Sequence, residues 1–344
     1  MQPLLAALVG DEEIGAHFTD AADIEAMLRF EAALAQSQAA VGLIPGDAAE
    51  AIARAVLNLK PDMPALAEGM QRDGVIVPAL VAQLRASVGE PHRAHVHFGS
   101  TSQDVIDTSL ILRLKQVIAL FNQRALAVIH ALEAVKARDG GITLMAQTRM
   151  KEALPFTAAD KIETWLRPLR RSLIRLDELC VRLLVIQLGG PVGTNEQYGD
   201  KAGALGTELA ARLGLSAAKP WHSARDNIAE FGSWLSLLTG ILGKIGTDLV
   251  LMNQDKIGAV RLPGGGGSSA MAHKQNPVIA ETLIALGRFN AGMLGTLHQT
   301  LIHENERSGA AWTLEWMVLP QMVIAAGSAL RHAKGLAEGM GFQA

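Results

Sequence analysis

The chain has 344 residues, enough for a large core and, by length alone, for two domains. Its net charge of −3 gives no electrostatic case for nucleic acid, and its single cysteine, Cys180, excludes an intrachain disulfide or a cysteine-based zinc site. Apolar residues make up 49% but aromatics only 4%, with Ala and Leu dominant, a mixture that suits closely packed helices better than a sheet sandwich.

The start, Met1 to Val9, lacks a basic n-region and soon meets Asp11, Glu12 and Glu13, so it reads as a poor signal peptide. Asp20 followed by Asp23, Ile24, Met27, Leu28 and Leu34 predicts a capped amphipathic helix. The run Gly42-Leu43-Ile44-Pro45-Gly46-Asp47 stops it, and another helix begins near Ala48. Short helices with loops are expected to about residue 98. From Ser100 to Asp139 there is neither glycine nor proline, and Val105, Ile106, Leu110, Leu114, Val117, Ile118 and Phe121 recur at helical spacing. One very long helix follows, roughly 60 Å at about 1.5 Å per residue.

Asp139-Gly140-Gly141 ends that run. A second long helical pattern covers roughly 156–188, interrupted by Pro168, and Gly189-Gly190-Pro191-Val192-Gly193 breaks it. A third spans about 226–258, with Leu238, Ile241, Leu242, Ile245, Leu249 and Met252 on one stripe. Its glycines, Gly240, Gly243 and Gly246, would each weaken a lone helix by about 1 kcal/mol but permit close approach to a neighbour. A fourth helix opens at Pro277 and a fifth near Trp312. The longest uncharged window near the C-terminus, Trp316 to Leu330, is 15 residues and contains Pro320. A membrane span needs about 20, so a soluble, cytoplasmic protein is expected. The fold class is all-α: a long-helix bundle over 99–344 preceded by a helical domain over 1–98. Several helices are apolar on more than one face, which points to burial by other subunits.

Polar chemistry concentrates in four segments. The richest is 264–277, where four glycines, Gly264 to Gly267, allow close backbone approach and are followed by Ser268, Ser269, Met271, His273, Lys274, Gln275, Asn276 and Pro277. The segment His97-Phe98-Gly99-Ser100-Thr101-Ser102-Gln103-Asp104 opens the long helix, where hydroxyls and free N–H groups make either an anion site or simply an N-cap. The others are Gln147-Thr148-Arg149-Met150-Lys151 and His303-Glu304-Asn305-Glu306-Arg307-Ser308, the latter with Trp312 and Glu315 close behind. His92, His95 and His97 could suggest a metal, but no further ligand cluster supports one. The glycine run is no phosphate loop either, because Lys274 is flanked by His273 and Gln275 rather than by Gly and Ser/Thr.

The ordered pattern Gly-Ser-Ser-x-Met-x-x-Lys-x-Asn-Pro over 267–277 resembles the signature loop of the fumarase/aspartase superfamily. The Gly99-Ser100-Thr101-Ser102-Gln103-Asp104 run and the turn Leu188-Gly189-Gly190-Pro191-Val192-Gly193-Thr194 are similar to that family in the expected order, so the resemblance covers essentially the whole chain. It implies a central bundle that assembles into a homotetramer with active sites built from several subunits, acting on small polycarboxylates without cofactor or metal. By that likeness Ser268 is the proton-transferring residue on a mobile loop. Lys274 (catalytic) and Asn276 hold a substrate carboxylate, and Thr101, Ser102 and Gln103 line the same pocket, with Thr148, Arg149 and Arg307 also assigned to substrate binding.

Within the superfamily the chain looks most like the branch that lactonises 3-substituted cis,cis-muconates in aromatic catabolism. Phe18-Thr19-Asp20, Glu31-Ala32-Ala33-Leu34-Ala35, Gly42-Leu43-Ile44-Pro45, Trp221-His222-Ser223-Ala224-Arg225-Asp226 and Glu306-Arg307 with Trp312, Glu315 and Trp316 carry that likeness. Two departures are expected to matter. Many lyases of the family have Arg-Thr-His where this chain has Gln147-Thr148-Arg149, and the chain reaches Ala344 about where the family continues into a small third helical domain. Lyases that expel an amine or hydroxyl benefit from an acid that protonates the leaving group. A cycloisomerase instead adds the substrate's own carboxylate, already ionised near neutrality because carboxylic acids titrate around 4. An arginine offers a permanent positive fork for a carboxylate. Arg149 therefore argues for a polycarboxylate cycloisomerase, with a fumarate-releasing lyase such as an adenylosuccinate lyase and an inactive structural homologue as the alternatives.

Overall fold

The computed structural model describes residues 3–271 and 273–343; Met1, Gln2, Ala272 of the signature loop and Ala344 lie outside them. Two short helices, α1 (Pro3–Val9) and α2 (Glu12–Gly15), precede α3 (Asp20–Ala40). Its N-cap is Thr19, one residue earlier than the acidic pattern indicated, with the hydroxyl accepting from the Ala22 N–H at 3.3 Å. Helices α4 (Gly46–Asn58), α5 (Met63–Asp73) and α6 (Val77–Val88) complete the first group.

The glycine-free run becomes α7, Ser102–Asp139, about 57 Å long at about 1.5 Å per residue. A β-hairpin then intervenes, β1 (Thr143–Thr148) paired antiparallel with β2 (Lys151–Thr157), before α8 (Ala158–Leu183). The long helical pattern was expected over about 156–188; the helix begins at Ala158 and ends at Leu183, and the hairpin before it has no glycine or asparagine turn to announce it. After α9 (Ala202–Leu213) come α10 (Asp226–Met252), the short strand β3 (Val260–Arg261), α11 (Val278–Gln299), α12 (Gly309–Gly339) and β4 (Gly341–Phe342), which pairs with β3. The all-α class holds.

The main core is where α7, α8, α10, α11 and α12 meet, with Trp165, Phe121, Phe231, Leu242 and Met322 fully buried. Glycines let α10 and α11 come together. A Cβ at Gly246 would lie 2.5 Å from the Ala280 carbonyl oxygen, and one at Gly287 would lie 2.8 Å from that of Thr239. Side chains there would force the helices apart. A second core joins α3 to α6 with the first turns of α7, the 186–188 segment, Tyr198 and α9. Helices α7, α10 and α12 are long and apolar enough to cross a bilayer by length and composition. Here they pack on one another, and α7 and α12 carry the buried carboxylates Asp104, Asp107 and Glu315. The N-terminus of α7 stands at the junction of the two cores, beside the 188–193 turn and the 303–308 loop.

Candidate active site

The entry to α7 is a sharply turned segment. His97 and Gly99 both have left-handed backbones, with φ of 62° and 71°, and Thr101 is extended at the N-cap position. From the first helical turn the fully buried Asp104 carboxylate collects five donors. Oδ2 accepts from the Thr101 N–H (3.1 Å), the Ser100 hydroxyl (3.3 Å) and the Gly190 N–H (2.9 Å). Oδ1 accepts from the Gly189 N–H (2.8 Å) and pairs with His222 Nε2 (2.9 Å). The carboxylate thereby fixes the glycine turn against the helix end. Gly190 has a left-handed backbone, φ 68°, and a Cβ there would meet the Gly99 carbonyl oxygen at 2.9 Å, so the turn requires glycine.

Gln103, also fully buried, donates from Nε2 to the His222 carbonyl at 2.8 Å and accepts at Oε1 from Arg307 Nε at 2.8 Å. Arg307 Nη2 reaches the Pro191 carbonyl at 3.2 Å, while the residue remains exposed. The structure therefore brings Thr101, Ser102, Gln103 and Arg307 to one place, although they are about 200 residues apart in sequence. Thr101 serves as the N-cap residue, and Thr101 and Ser102 are half-buried at the surface of this cluster.

Beneath it lies a polar core that sequence spacing did not reveal. Arg225 is fully buried between Asp107 (Nη1 2.6 Å, Nη2 3.1 Å) and Glu315 (Nε 3.0 Å, Nη2 2.5 Å), with Trp312 Nε1 donating to Asp107 at 3.2 Å. Its guanidinium carbon stands 4.6 Å from the Trp221 ring centroid. Burial alone would draw the Arg225 pKa down, but the two carboxylates outweigh it and raise it. Burial, aided by the charge of Asp107, pushes the Glu315 carboxyl up even though Arg225 pulls it down. In the sequence, Trp221 to Arg225, Trp312 and Glu315 stand out only as part of the resemblance, and nothing in their spacing shows that they meet Asp107.

The signature loop shares no hydrogen bond or ion pair with that cluster among the described residues. Backbone hydrogen bonds between Gly266 and Asn276, 2.9 and 2.8 Å, close its base, and Gly264 has φ of 58°. Inside it the half-buried Ser268 accepts at Oγ from the N–H groups of Ala270 (3.3 Å) and Met271 (3.1 Å). Lys274 is exposed and Asn276 half-buried. Neither side chain makes a hydrogen bond or ion pair among the described residues.

Thr148 and Arg149 sit at the tip of the β1–β2 hairpin. Thr148 pairs with Lys151 across a two-residue turn in which Arg149 and Met150 both have positive φ, 50° and 65°. Such a turn matches the right-handed twist of the flanking strands. It is built here without glycine, and it holds the Arg149 side chain exposed at the end of the ribbon. No hydrogen bond or ion pair among the described residues links the helix entry, the signature loop and the hairpin tip. A cavity of about 400 Å³ between α3, α5, α7 and α12, lined by Met27, Leu66, Ile106 and Arg113 among others, contains none of these residues. Among the described residues no group of three or more His, Cys, Asp or Glu side chains is arranged to hold a metal ion.

Residues 11–289 match the family model described as Lyase. A 3-carboxy-cis,cis-muconate cycloisomerase of Pseudomonas aeruginosa is 39% identical over 331 residues, which cover 94% of this chain and 72% of the relative. The crystal structure of the 3-carboxy-cis,cis-muconate lactonizing enzyme from Pseudomonas putida superposes with a TM-score of 0.92 at 36% identity, over 99% of this chain and 77% of that one. A fumarate lyase from Mesorhizobium sp. BNC1 superposes with a TM-score of 0.91 at 31% identity, over 97% and 76% of the two chains. With the helix bundle, the helix entry and the signature loop all in the order its sequence announced, this chain belongs to the lyase family of the fumarase/aspartase superfamily.

Proposed function

We propose that the chain catalyses the cycloisomerisation of 3-carboxy-cis,cis-muconate to a muconolactone, an intramolecular addition–elimination. The observation that carries this reading is the identity of 39% to such an enzyme across nearly the whole chain. Arg149, standing where amine-releasing members keep an acid/base histidine, supports it. The substrate brings its own nucleophile: one carboxylate oxygen attacks the carbon β to another carboxylate. Negative charge spreads into that second carboxyl group, and a proton arrives at the α carbon.

Lys274, Asn276 and Arg149 stabilise the developing charge. Thr101, Ser102, Gln103 and Arg307 receive a further carboxylate at the entry to α7. Ser268 delivers the proton in the lactonising direction and removes it in reverse. A free serine is far too weak a base for that, and donors aimed at its oxygen favour the ionised form. The two N–H groups within 3.3 Å of Ser268 Oγ are such donors, and closure of the loop over substrate completes them. No cofactor takes part. No hydrogen bond or ion pair among the described residues joins the three groups, which supports a site completed by neighbouring subunits in a homotetramer of the 99–344 bundle, with 1–98 as an N-terminal helical domain. The enzyme is soluble and cytoplasmic and serves aromatic catabolism through protocatechuate.

A fumarate-releasing lyase is the second reading, favoured by the likeness to the Mesorhizobium fumarate lyase. The two are separated by assay. Loss of diene absorbance on 3-carboxy-cis,cis-muconate without fumarate release supports cycloisomerisation. Release of fumarate from adenylosuccinate, with no turnover of any muconate, overturns it. A folded protein silent on every dicarboxylate would mark a structural homologue.

A further inference from the structure

The turn that delivers Ser100 to Gln103 rests on an unusual foundation. Glu31, from the middle of α3, is 2% exposed, and its Oε1 lies 2.5 Å from His97 Nδ1. Its other oxygen, Oε2, is buried with no hydrogen-bond partner among the described residues. Among the described residues, His97 is thus the one side chain that hydrogen-bonds this carboxylate. About two turns further along the same face of the helix, Gln38 donates from Nε2 to the Phe98 carbonyl at 2.7 Å, and the Tyr198 hydroxyl donates to that same carbonyl at 3.1 Å. His97 in turn accepts at its carbonyl from the Ser100 N–H at 3.3 Å. Packing alone would be served by an apolar residue at 31, since a buried carboxylate is unfavourable unless paired.

We propose that Glu31 is a positioning residue: through His97 it holds the 97–101 turn, left-handed at His97 and Gly99, and so sets the placement of Thr101, Ser102 and Gln103 for a substrate carboxylate. The proposal rests on the reading of those three residues as substrate-binding. Glu31 touches no reacting atom; it acts through an imidazolium that it stabilises.

The charges around His97 favour that protonated form. Burial alone would lower its pKa, but the charge and hydrogen bond of Glu31 on α3 and the charge of Asp104 on α7 outweigh burial and the opposing charge of Arg85 on α6, leaving it raised. Tyr198, which donates to the Phe98 carbonyl, is neutral, because burial and the charges of Asp104 and Glu31 push its hydroxyl up. A raised histidine pKa contributes stability that is fully present below the ordinary value of about 6.5 and is lost as the pH rises through the raised value. Above it the carboxylate is left with a neutral partner, the turn loosens, and substrate binding weakens on the alkaline side.

The test is Glu31→Gln, which keeps the shape but removes the charge, beside His97→Asn, which tolerates positive φ. Steady-state kinetics on 3-carboxy-cis,cis-muconate across pH 6 to 9 would be compared with urea unfolding over the same range. Glu31→Gln is expected to raise KM on the order of 10-fold, the weight of one charge-assisted hydrogen bond, while kcat changes little. Its alkaline limb of 1/KM moves to lower pH, and the double variant is no worse than the worse single one. Wild-type KM and pH profile in Glu31→Gln, or a fall in kcat at constant KM, would overturn the proposal. The unfolding arm does not depend on the substrate. There the wild type loses stability from pH 6 to 9 and Glu31→Gln loses distinctly less; equal slopes refute the pairing even if no muconate is turned over. If Glu31→Gln fails to fold, His97→Asn decides alone, with raised KM supporting the proposal and unchanged KM refuting it.

Discussion

Replacing Asp104 by alanine should be the most damaging single change near the candidate site. The carboxylate is fully buried and receives the N–H groups of Gly189 and Gly190, themselves buried, at 2.8 and 2.9 Å. Alanine leaves both without a partner, at about 1–3 kcal/mol each. It also removes the acceptor for the Thr101 N–H at the start of α7, and losing a helix-entry cap costs about 0.5–2 kcal/mol. These groups share one network, so their losses do not simply add, and partial relaxation with water entry brings the expected destabilisation to about 3–5 kcal/mol. Urea unfolding followed by circular dichroism, at one fixed protein concentration so that assembly contributes equally, measures it. Asp104→Asn should fall between, because its amide oxygen can still accept while its NH₂ opposes a backbone donor. A loss below about 1 kcal/mol in Asp104→Ala would refute the reasoning, since the two glycine N–H groups would then have found other partners.

Ser268→Ala should leave substrate binding within a few fold and lower turnover by at least about 10²-fold, the low end for an acid/base group; near-normal turnover transfers the role to Ser269. Arg149→Met should weaken apparent binding or transition-state stabilisation by about 1.5–3 kcal/mol if the guanidinium meets substrate. If it instead pairs with a neighbouring subunit, the variant loses tetramer and thermal stability with affinity unchanged in the surviving tetramer. Light scattering should report a mass several times the 36.5 kDa of one chain, and a stable, active monomer would contradict a site shared between subunits.

Local pattern was enough for the long helices. Forty residues without glycine or proline, with Leu110, Leu114, Val117 and Phe121 at helical spacing, leave the backbone little alternative to α7, and Gly189-Gly190-Pro191 leaves little alternative to a break. The signature loop was legible for the same reason: its residues are contiguous, so their order alone carries the likeness. The β1–β2 hairpin was not. Arg149 and Met150 adopt positive φ without the glycine or asparagine that would have advertised it, and the ribbon is imposed by its cross-strand pairing. Nor could spacing show that Asp104 serves Gly189 and Gly190 more than 80 residues away, or that Arg225 stands between Asp107 and Glu315. Glu31 and His222 were visible only as features of a resemblance, without a role. Helix periodicity and glycine-proline breaks are properties of neighbours in the chain and are legible there. The partners of buried charges are decided only when distant segments pack, because a carboxylate excluded from water must take whichever donors the tertiary fold brings within reach.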